Sequence, residues 1–249
     1  MMEKNNSKSR YNSFHNKTKT QCKIISQKNF TYRNIINIIE KYLKGDNVKV
    51  LDIGCGSGTL CFYIANKGNS VFGVDISSKA ISTCQESAHI LGMKNATFKV
   101  IDFPSENING KFDFIISSEV IEHLEDDNLA LKKIYGLLRN NGVLIITTPS
   151  SHAPLHRLGY AINFDKRVGH LRRYTIESLS KQCEDIGFMI VEAHKIEGIL
   201  RNFLFLNPIA GKLVRLMKFY ISDLVTFIDN IFIPIFGESN ILIVAKKGS

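Results

Sequence analysis

The chain has 249 residues, 44% hydrophobic and 22% charged, and a formal net charge of +9. That length and composition suit one main globular α/β domain with an appendage, and the charge bears on acidic partners such as nucleic acid, phosphorylated compounds or an anionic membrane rather than on fold. The five cysteines (Cys22, Cys55, Cys61, Cys84, Cys183) are odd in number and lack paired metal spacing, which argues against a disulfide framework or structural zinc and for a cytoplasmic protein.

Residues 1–28 carry Lys4, Lys8, Arg10, Lys17, Lys19, Lys23 and Lys28 among Asn, Ser and Thr, with no apolar stretch of signal-peptide length. They are expected to form a basic flexible leader, either a solvated tail or a docking arm. From Phe30 the apolar residues Ile35, Ile36, Ile38, Ile39, Tyr42 and Leu43 recur at helical spacing up to Gly45. Val48–Ile53 is a short apolar run of the kind buried in a parallel sheet, followed at once by a glycine turn and a helix through Ala65. The alternation then predicts strand Val71–Asp75, helix Ser77–Leu91, strands Thr97–Ile101 and Phe112–Ser117, helix Asn128–Leu138 and strand Val143–Thr148. After a long connection come helix Thr175–Ile186, strand Phe188–His194 and a last strand Asn240–Lys247. Such βα alternation implies an α/β fold: a doubly wound, seven-stranded, mostly parallel sheet with a helical insertion before the last strand.

The turn reads Asp52-Ile53-Gly54-Cys55-Gly56-Ser57-Gly58. Glycines between a buried strand and a helix let backbone amides and the positive helix end approach a polar ligand. Asp75 ends the next strand about 20 residues on, where an acid accepts hydrogen bonds from ribose hydroxyls. Asp102 ends the third strand, where a carboxylate accepts from an adenine amino group with Phe103 beside the ring. A tight turn without a ligand would leave those acids purposeless, and a dinucleotide fingerprint would space its glycines differently. These residues resemble class I S-adenosylmethionine-dependent methyltransferases: Val50–Gly58 is similar to their first motif, Val74-Asp75 to their second and Asp102 to their adenine acid. The resemblance runs from about Val48 to Phe188 and implies a Rossmann-like fold whose final strand lies antiparallel between the fifth and sixth. It implies a cofactor site of Asp52, Gly54, Cys55, Gly56, Ser57, Gly58, Asp75, Ile76, Asp102, Phe103 and Ser118. The methyltransferase domain would comprise residues 29–197 and 239–249.

Methyl transfer requires alignment of the acceptor and exclusion of water; a hydroxyl acceptor also needs a base or a Lewis acid near the end of the fourth strand. There stand Ser117-Ser118-Glu119-Val120-Ile121-Glu122-His123. The Glu119-x-x-Glu122-His123 segment resembles ubiquinone-pathway O-methyltransferases and small-RNA 3′-end 2′-O-methyltransferases. In the latter, two glutamates and a histidine hold a divalent metal with a further histidine five residues before a threonine, the position of His170 before Thr175. The resemblance therefore makes Glu119, Glu122, His123 and His170 candidate metal ligands, and Glu119 and His123 candidate catalytic groups. Without metal, Glu119 would contact the cofactor or close the pocket, Glu122 would lie in the first turn of a helix where its charge is favourable, and His123 would be a base or a packed imidazole. His152 and His156 border the expected acceptor cleft, and Arg172 and Arg173 could receive an anionic acceptor.

Residues 198–238 form the insertion. Leu213, Leu216, Met217, Tyr220, Leu224, Phe227, Ile228 and Ile231 recur at helical spacing, with Lys212, Arg215, Lys218 and Asp229 on the other side. Charges interrupt the segment too often for a membrane span, so it is expected to be an amphipathic helical lid or an interfacial helix on anionic lipid. Residues 166–237 also resemble methyltransferases of bacterial surface-glycan gene clusters. The expected function is O-methylation of a small or lipid-linked hydroxyl acceptor, with metal-dependent 2′-O-methylation of RNA 3′ ends as the alternative. A nicotinamide oxidoreductase or a noncatalytic cofactor-binding subunit are the readings from other classes.

Overall fold

The computed structural model describes residues 11–13, 15, 18–207 and 222–248. Helix α1 (Arg33–Tyr42) leads into β1 (Lys49–Ile53), α2 (Thr59–Ala65), β2 (Ser70–Asp75), α3 (Ser78–Leu91), β3 (Ala96–Val100) and β4 (Phe112–Ser118). A 3₁₀ turn at Ile121–His123 precedes α4 (Asp127–Leu137) and β5 (Leu138–Pro149). Then come α5 (Pro154–Arg157), α6 (Ile162–Val168), α7 (Ile176–Ile186), β6 (Phe188–Ile196), α8 (Ile199–Leu206), α9 (Ser222–Phe236) and β7 (Asn240–Lys247).

The seven strands are ordered β3-β2-β1-β4-β5-β7-β6, with β7 antiparallel to both neighbours and the other pairs parallel. This is the expected architecture. Both faces of the sheet are covered, and the two-residue period of a strand divides its side chains between two cores. In β7, Ile241, Ile243 and Ala245 enter the core with α4 and α7, while Leu242 and Val244 enter the core with α1, α2 and α3. All five are fully buried, and each large aliphatic contributes roughly 1.5–3 kcal/mol by leaving water. β5 starts at Leu138 rather than Val143, because Leu138 pairs with Phe112 before the register shifts.

Helix ends follow their sequence signals. Ser77 Oγ accepts the Ala80 N–H at 3.2 Å at the start of α3, and Thr175 and Ser178 cap α7 reciprocally. The crossovers thus start and stop where the strands need them.

In the described part of the insertion, Asp229 does not lie on the solvent-facing side expected of it. Leu224, Phe227 and Ile231 of α9 are exposed, whereas Asp229 is fully buried. The reason lies at the start of α8, where Asp229 accepts from Gly198 N, Leu200 N and Arg201 N at 2.6, 2.9 and 3.2 Å. Three orphan amides of a helix start are worth more than an outward carboxylate, so they turn the helix. Lys212, Leu213, Arg215, Leu216, Met217, Lys218 and Tyr220 lie outside the described residues. No helix among the described residues is long and apolar enough to cross a membrane.

The described part of the leader is not a detached tail. Gln21 Nε2 donates to Ser57 O and Thr59 Oγ1 at 2.8 and 2.9 Å, and Ser77 Oγ donates to Asn12 Oδ1 at 2.8 Å. Polar side chains suited to solvent here find partners on the glycine turn and on the start of α3. Lys4, Lys8, Arg10 and Lys17 lie outside the described residues.

Candidate active site

The carboxyl ends of β1, β2, β3 and β4 open into one cavity of about 1210 Å³. Gly54, Gly56 and Gly58 all have positive φ, at 70°, 53° and 78°. At Gly54 a Cβ would also come within 2.3 Å of Val120 Cγ2, so the turn can pass beneath the next loop only as glycine. Asp75 fastens the turn: Gly56 N–H donates to its Oδ2 at 2.9 Å and Ser77 N–H to its Oδ1 at 2.8 Å. Asp52 is buried beneath, taking a hydrogen bond from Cys61 Sγ at 3.1 Å, and burial pushes its pKa up to about 7.

Of the expected cofactor residues, Asp52, Gly54, Cys55, Gly56, Ser57, Asp75, Ile76, Asp102, Phe103 and Ser118 line this cavity. Gly58 stands behind it, where a Cβ would meet Phe62 Cε2 at 2.9 Å.

At the end of β4 the chain turns sharply through Glu119, a non-glycine residue with φ 56°. Its Oε1 accepts from Thr147 Oγ1 at 2.9 Å and Asn240 Nδ2 at 3.2 Å. Glu119 is an exposed residue that lines the cavity; desolvation of its carboxylate by the surrounding protein, then the charge of Glu197, pushes its pKa up to about 7.

Glu122 is fully buried. Its Oε2 accepts from Thr148 Oγ1 at 3.0 Å, but its Oε1 has no hydrogen-bond partner. That oxygen lies 3.9 Å from His123 Nε2 and 3.8 Å from His170 Nε2. His123 Nδ1 donates to Gly169 O at 3.1 Å, and His170 Nδ1 lies 2.9 Å from Asp165 Oδ1. A carbonyl or carboxylate oxygen of this kind accepts, so each ring in its neutral form carries its proton on Nδ1. In that form both Nε2 lone pairs face a carboxylate oxygen that has no hydrogen-bond partner. Burial, then the charge of Glu119, holds Glu122 well above the usual carboxylate range.

Among the described residues, Glu122, His123 and His170 are the group whose ligating atoms cluster closely enough for one metal ion, within 4.8 Å of one another. Glu119, the fourth expected ligand, is not in that group. Its Oε1 is turned toward Thr147 and Asn240 instead. Two imidazoles and a carboxylate suit a mid-series divalent ion.

The remaining expected polar groups are engaged elsewhere. His152 pairs with Glu238 at 3.3 Å and His156 with Asp165 at 3.4 Å, and neither lines the main cavity. Arg172 binds Asp127, and Arg173 forks onto both oxygens of Asp165. Guanidinium–carboxylate pairing satisfies these arginines before any anionic acceptor arrives.

The family described as "Methyltransferase domain" matches residues 44–202, well over half the chain. The chain belongs to this family and is a class I S-adenosylmethionine-dependent methyltransferase. It is 36% identical over 102 residues to the ubiquinone biosynthesis O-methyltransferase of Pelagibacter ubique, a stretch covering 41% of this chain and 42% of that one. The matched stretch thus spans about two fifths of that relative. Among solved structures it resembles phosphoethanolamine N-methyltransferase 2 of Haemonchus contortus in complex with S-adenosyl-L-methionine, with TM-score 0.67, 19% identity and coverage of 88% of this chain and 53% of that chain. It also resembles magnesium protoporphyrin IX methyltransferase of Synechocystis with bound S-adenosylhomocysteine, with TM-score 0.61, 19% identity and coverage of 88% and 81%. Those likenesses carry the fold.

Several residues of the methyltransferase site carry no motif. Tyr11 packs edge-on against the His123 ring with centroids 5.6 Å apart, and a Cβ on Gly56 would lie 3.6 Å from His15 Cε1. Asn240 arrives from the far end of the sequence because β7 inserts beside β5. Asp165 gave one signal: a ligand-type histidine needs an acceptor for its second nitrogen, and an acid stands five residues before His170.

Proposed function

We propose that the chain methylates a hydroxyl group of a small or lipid-linked acceptor, and that Glu122, His123 and His170 hold a divalent ion beside the acceptor oxygen. The observation that carries this is the buried, unpartnered Glu122 Oε1 flanked by two imidazole Nε2 atoms. A buried carboxylate oxygen without a donor costs roughly 1–3 kcal/mol or more, which a cation would offset. The O-methyltransferase names of the relatives support a hydroxyl acceptor. The apolar rim of Phe164, Phe205 and Leu206 supports a small or lipid-linked compound over an RNA end.

S-adenosylmethionine, when bound, supplies an electrophilic methyl group on a sulfonium sulfur. A divalent ion at the proposed position would supply Lewis acidity to the acceptor oxygen. Methylation of a hydroxyl acceptor would release the hydroxyl proton. Glu119 takes that proton on Oε2, its Oε1 being held by Thr147 and Asn240. Its pKa of about 7 suits a base working near neutrality. The turn at Gly54–Gly58, with Asp75 and Asp102, orients the cofactor.

The test is calorimetric titration of chelator-treated protein with S-adenosylhomocysteine, with and without Mn²⁺, beside turnover on a catechol acceptor. About one tightly held ion, restored turnover on adding Mn²⁺, and loss of both in His123→Ala with cofactor affinity retained are expected. Full turnover after chelation would remove the ion from the reading, and turnover unchanged in His123→Ala would remove the site.

A further inference from the structure

The apolar side chains that face solvent are not scattered over this molecule. Among the described residues fifteen large ones are exposed, and ten of these lie on the Leu158–Ile162 stretch, α8 and α9. Single exposed apolar residues are ordinary on a protein surface, whereas a concentration of them marks an interaction site. Helix α9 is the clearest case. Leu224, Phe227, Ile231 and Ile235 recur three or four residues apart and are 58%, 64%, 51% and 67% exposed. Val225, Thr226 and Asp229 on the other side are buried. The helix therefore presents its apolar stripe outward.

These elements form one connected unit. Phe164 of α6 packs edge-on against Phe205 of α8, with centroids 6.0 Å apart, and Asp229 of α9 caps the start of α8. Their charges indicate the occupant. Arg157, Lys166 and Arg167 are exposed on α5 and α6. The acids of the same elements are withdrawn: Asp165 and Asp229 are buried, and Asp223 pairs with Lys28 and Arg33. A second copy docked by the same face would bring like charges together, whereas an anionic lipid surface offers both an apolar layer and opposite charge.

We propose that this face rests on an anionic bilayer, with the outer side chains of α8 and α9 at the headgroup boundary and the basic residues on lipid phosphates. Phe205 is 65% exposed and also lines the cavity, as does Arg167. The cavity therefore opens beside this face, and an acceptor with an apolar tail can present its hydroxyl to the site while the tail stays in the membrane. The route of the acceptor rests on the lipid-linked reading above; the docking itself rests on the surface alone.

The experiment is co-sedimentation of the full chain with phosphatidylcholine vesicles, with or without phosphatidylglycerol. Binding is expected to the phosphatidylglycerol vesicles and to fall with salt. The double variant Phe227→Ser/Ile231→Ser is expected to lose partitioning by about tenfold or more. The double variant Arg157→Glu/Lys166→Glu is expected to lose the preference for anionic lipid. S-adenosylhomocysteine affinity should match wild type in both, which shows that they fold. Absence of wild-type binding, equal binding to both vesicles, or wild-type partitioning by the α9 variant would overturn the proposal. So would a wild-type dimer that ignores vesicles and dissociates in the α9 variant. Vesicle binding without turnover on a lipid-linked acceptor would sink the acceptor reading and leave the docking intact.

Discussion

His170 Nδ1 lies 2.9 Å from Asp165 Oδ1, and that contact aims the opposite ring nitrogen at the unpartnered oxygen of Glu122, 3.8 Å away. Asp165 is itself held by Arg173. Against burial, which alone would raise it, the hydrogen bonds from His170 and Arg173 bring its pKa down to about 2. Asp165→Asn keeps the shape but removes the charge. The expected result is roughly ten- to hundredfold weaker Mn²⁺ binding with S-adenosylhomocysteine affinity unchanged, both read by calorimetry. Equal loss of both would mean that Asp165 supports the fold rather than the histidine. Because the folded pKa is depressed, the stabilisation from Asp165 is present above its unfolded value and is lost as pH falls toward 2.

Gly54→Ala and Gly92→Ala both place a side chain at positive φ, 70° and 66°. Only at Gly54 does the new Cβ collide, at 2.3 Å from Val120 Cγ2; nothing lies within 4 Å of it at Gly92. Gly92→Ala should cost only the strain, on the order of 1 kcal/mol in denaturant unfolding, and retain cofactor binding. Gly54→Ala should lose S-adenosylhomocysteine affinity at least tenfold. Similar cofactor affinity in the two variants would mean that the turn relaxes around the clash.

Asp75→Ala removes the acceptor for two backbone amides that shape the turn, and with it the expected ribose contact. S-adenosylhomocysteine affinity should fall by an order of magnitude or more, since unpairing buried amides costs about 1–3 kcal/mol each. Unchanged affinity in titration calorimetry would take Asp75 out of the site.

Glu119 has a folded pKa of about 7, above its ordinary 4.5. The folded state then binds its proton more tightly than the unfolded chain, so stability falls as pH rises from about 4.5 through about 7 and levels off beyond. Glu119→Gln should therefore melt above wild type at about pH 8 and close to it at about pH 5. A melting difference independent of pH would show that ionised Glu119 carries no penalty.

The fold was legible because its signals are local. Val48–Ile53, the glycine turn and the acid at Asp75 sit in a run where strand, turn and helix leave separate marks, and the buried strand β7 reads as one apolar stretch. Glu122, His123 and His170 were legible as a set, although Glu119 was drawn away by Thr147 and Asn240, contacts that no spacing encodes. The burial of Asp229 was not legible for a similar reason: it looks like a solvent-facing acid until the amides of α8, about 30 residues earlier, are placed beside it. Arg172 and Arg173 looked available because their acids, Asp127 and Asp165, are recognisable as partners only once the chain folds back.

The strand order divides the molecule unequally. β6 has one neighbour, β7, whereas β1 and β2 are paired with each other and on their outer sides with β4 and β3. An opening that frees β7 also strips β6 from the sheet and withdraws Asn240 from Glu119, yet leaves every ladder around the glycine turn intact. Amide hydrogens of β6 and β7 should then exchange as one cooperative unit, earlier than those of β1 and β2. At the proposed site, such a partial opening would loosen Glu119 while the glycine turn proposed to orient the methyl donor stays in place.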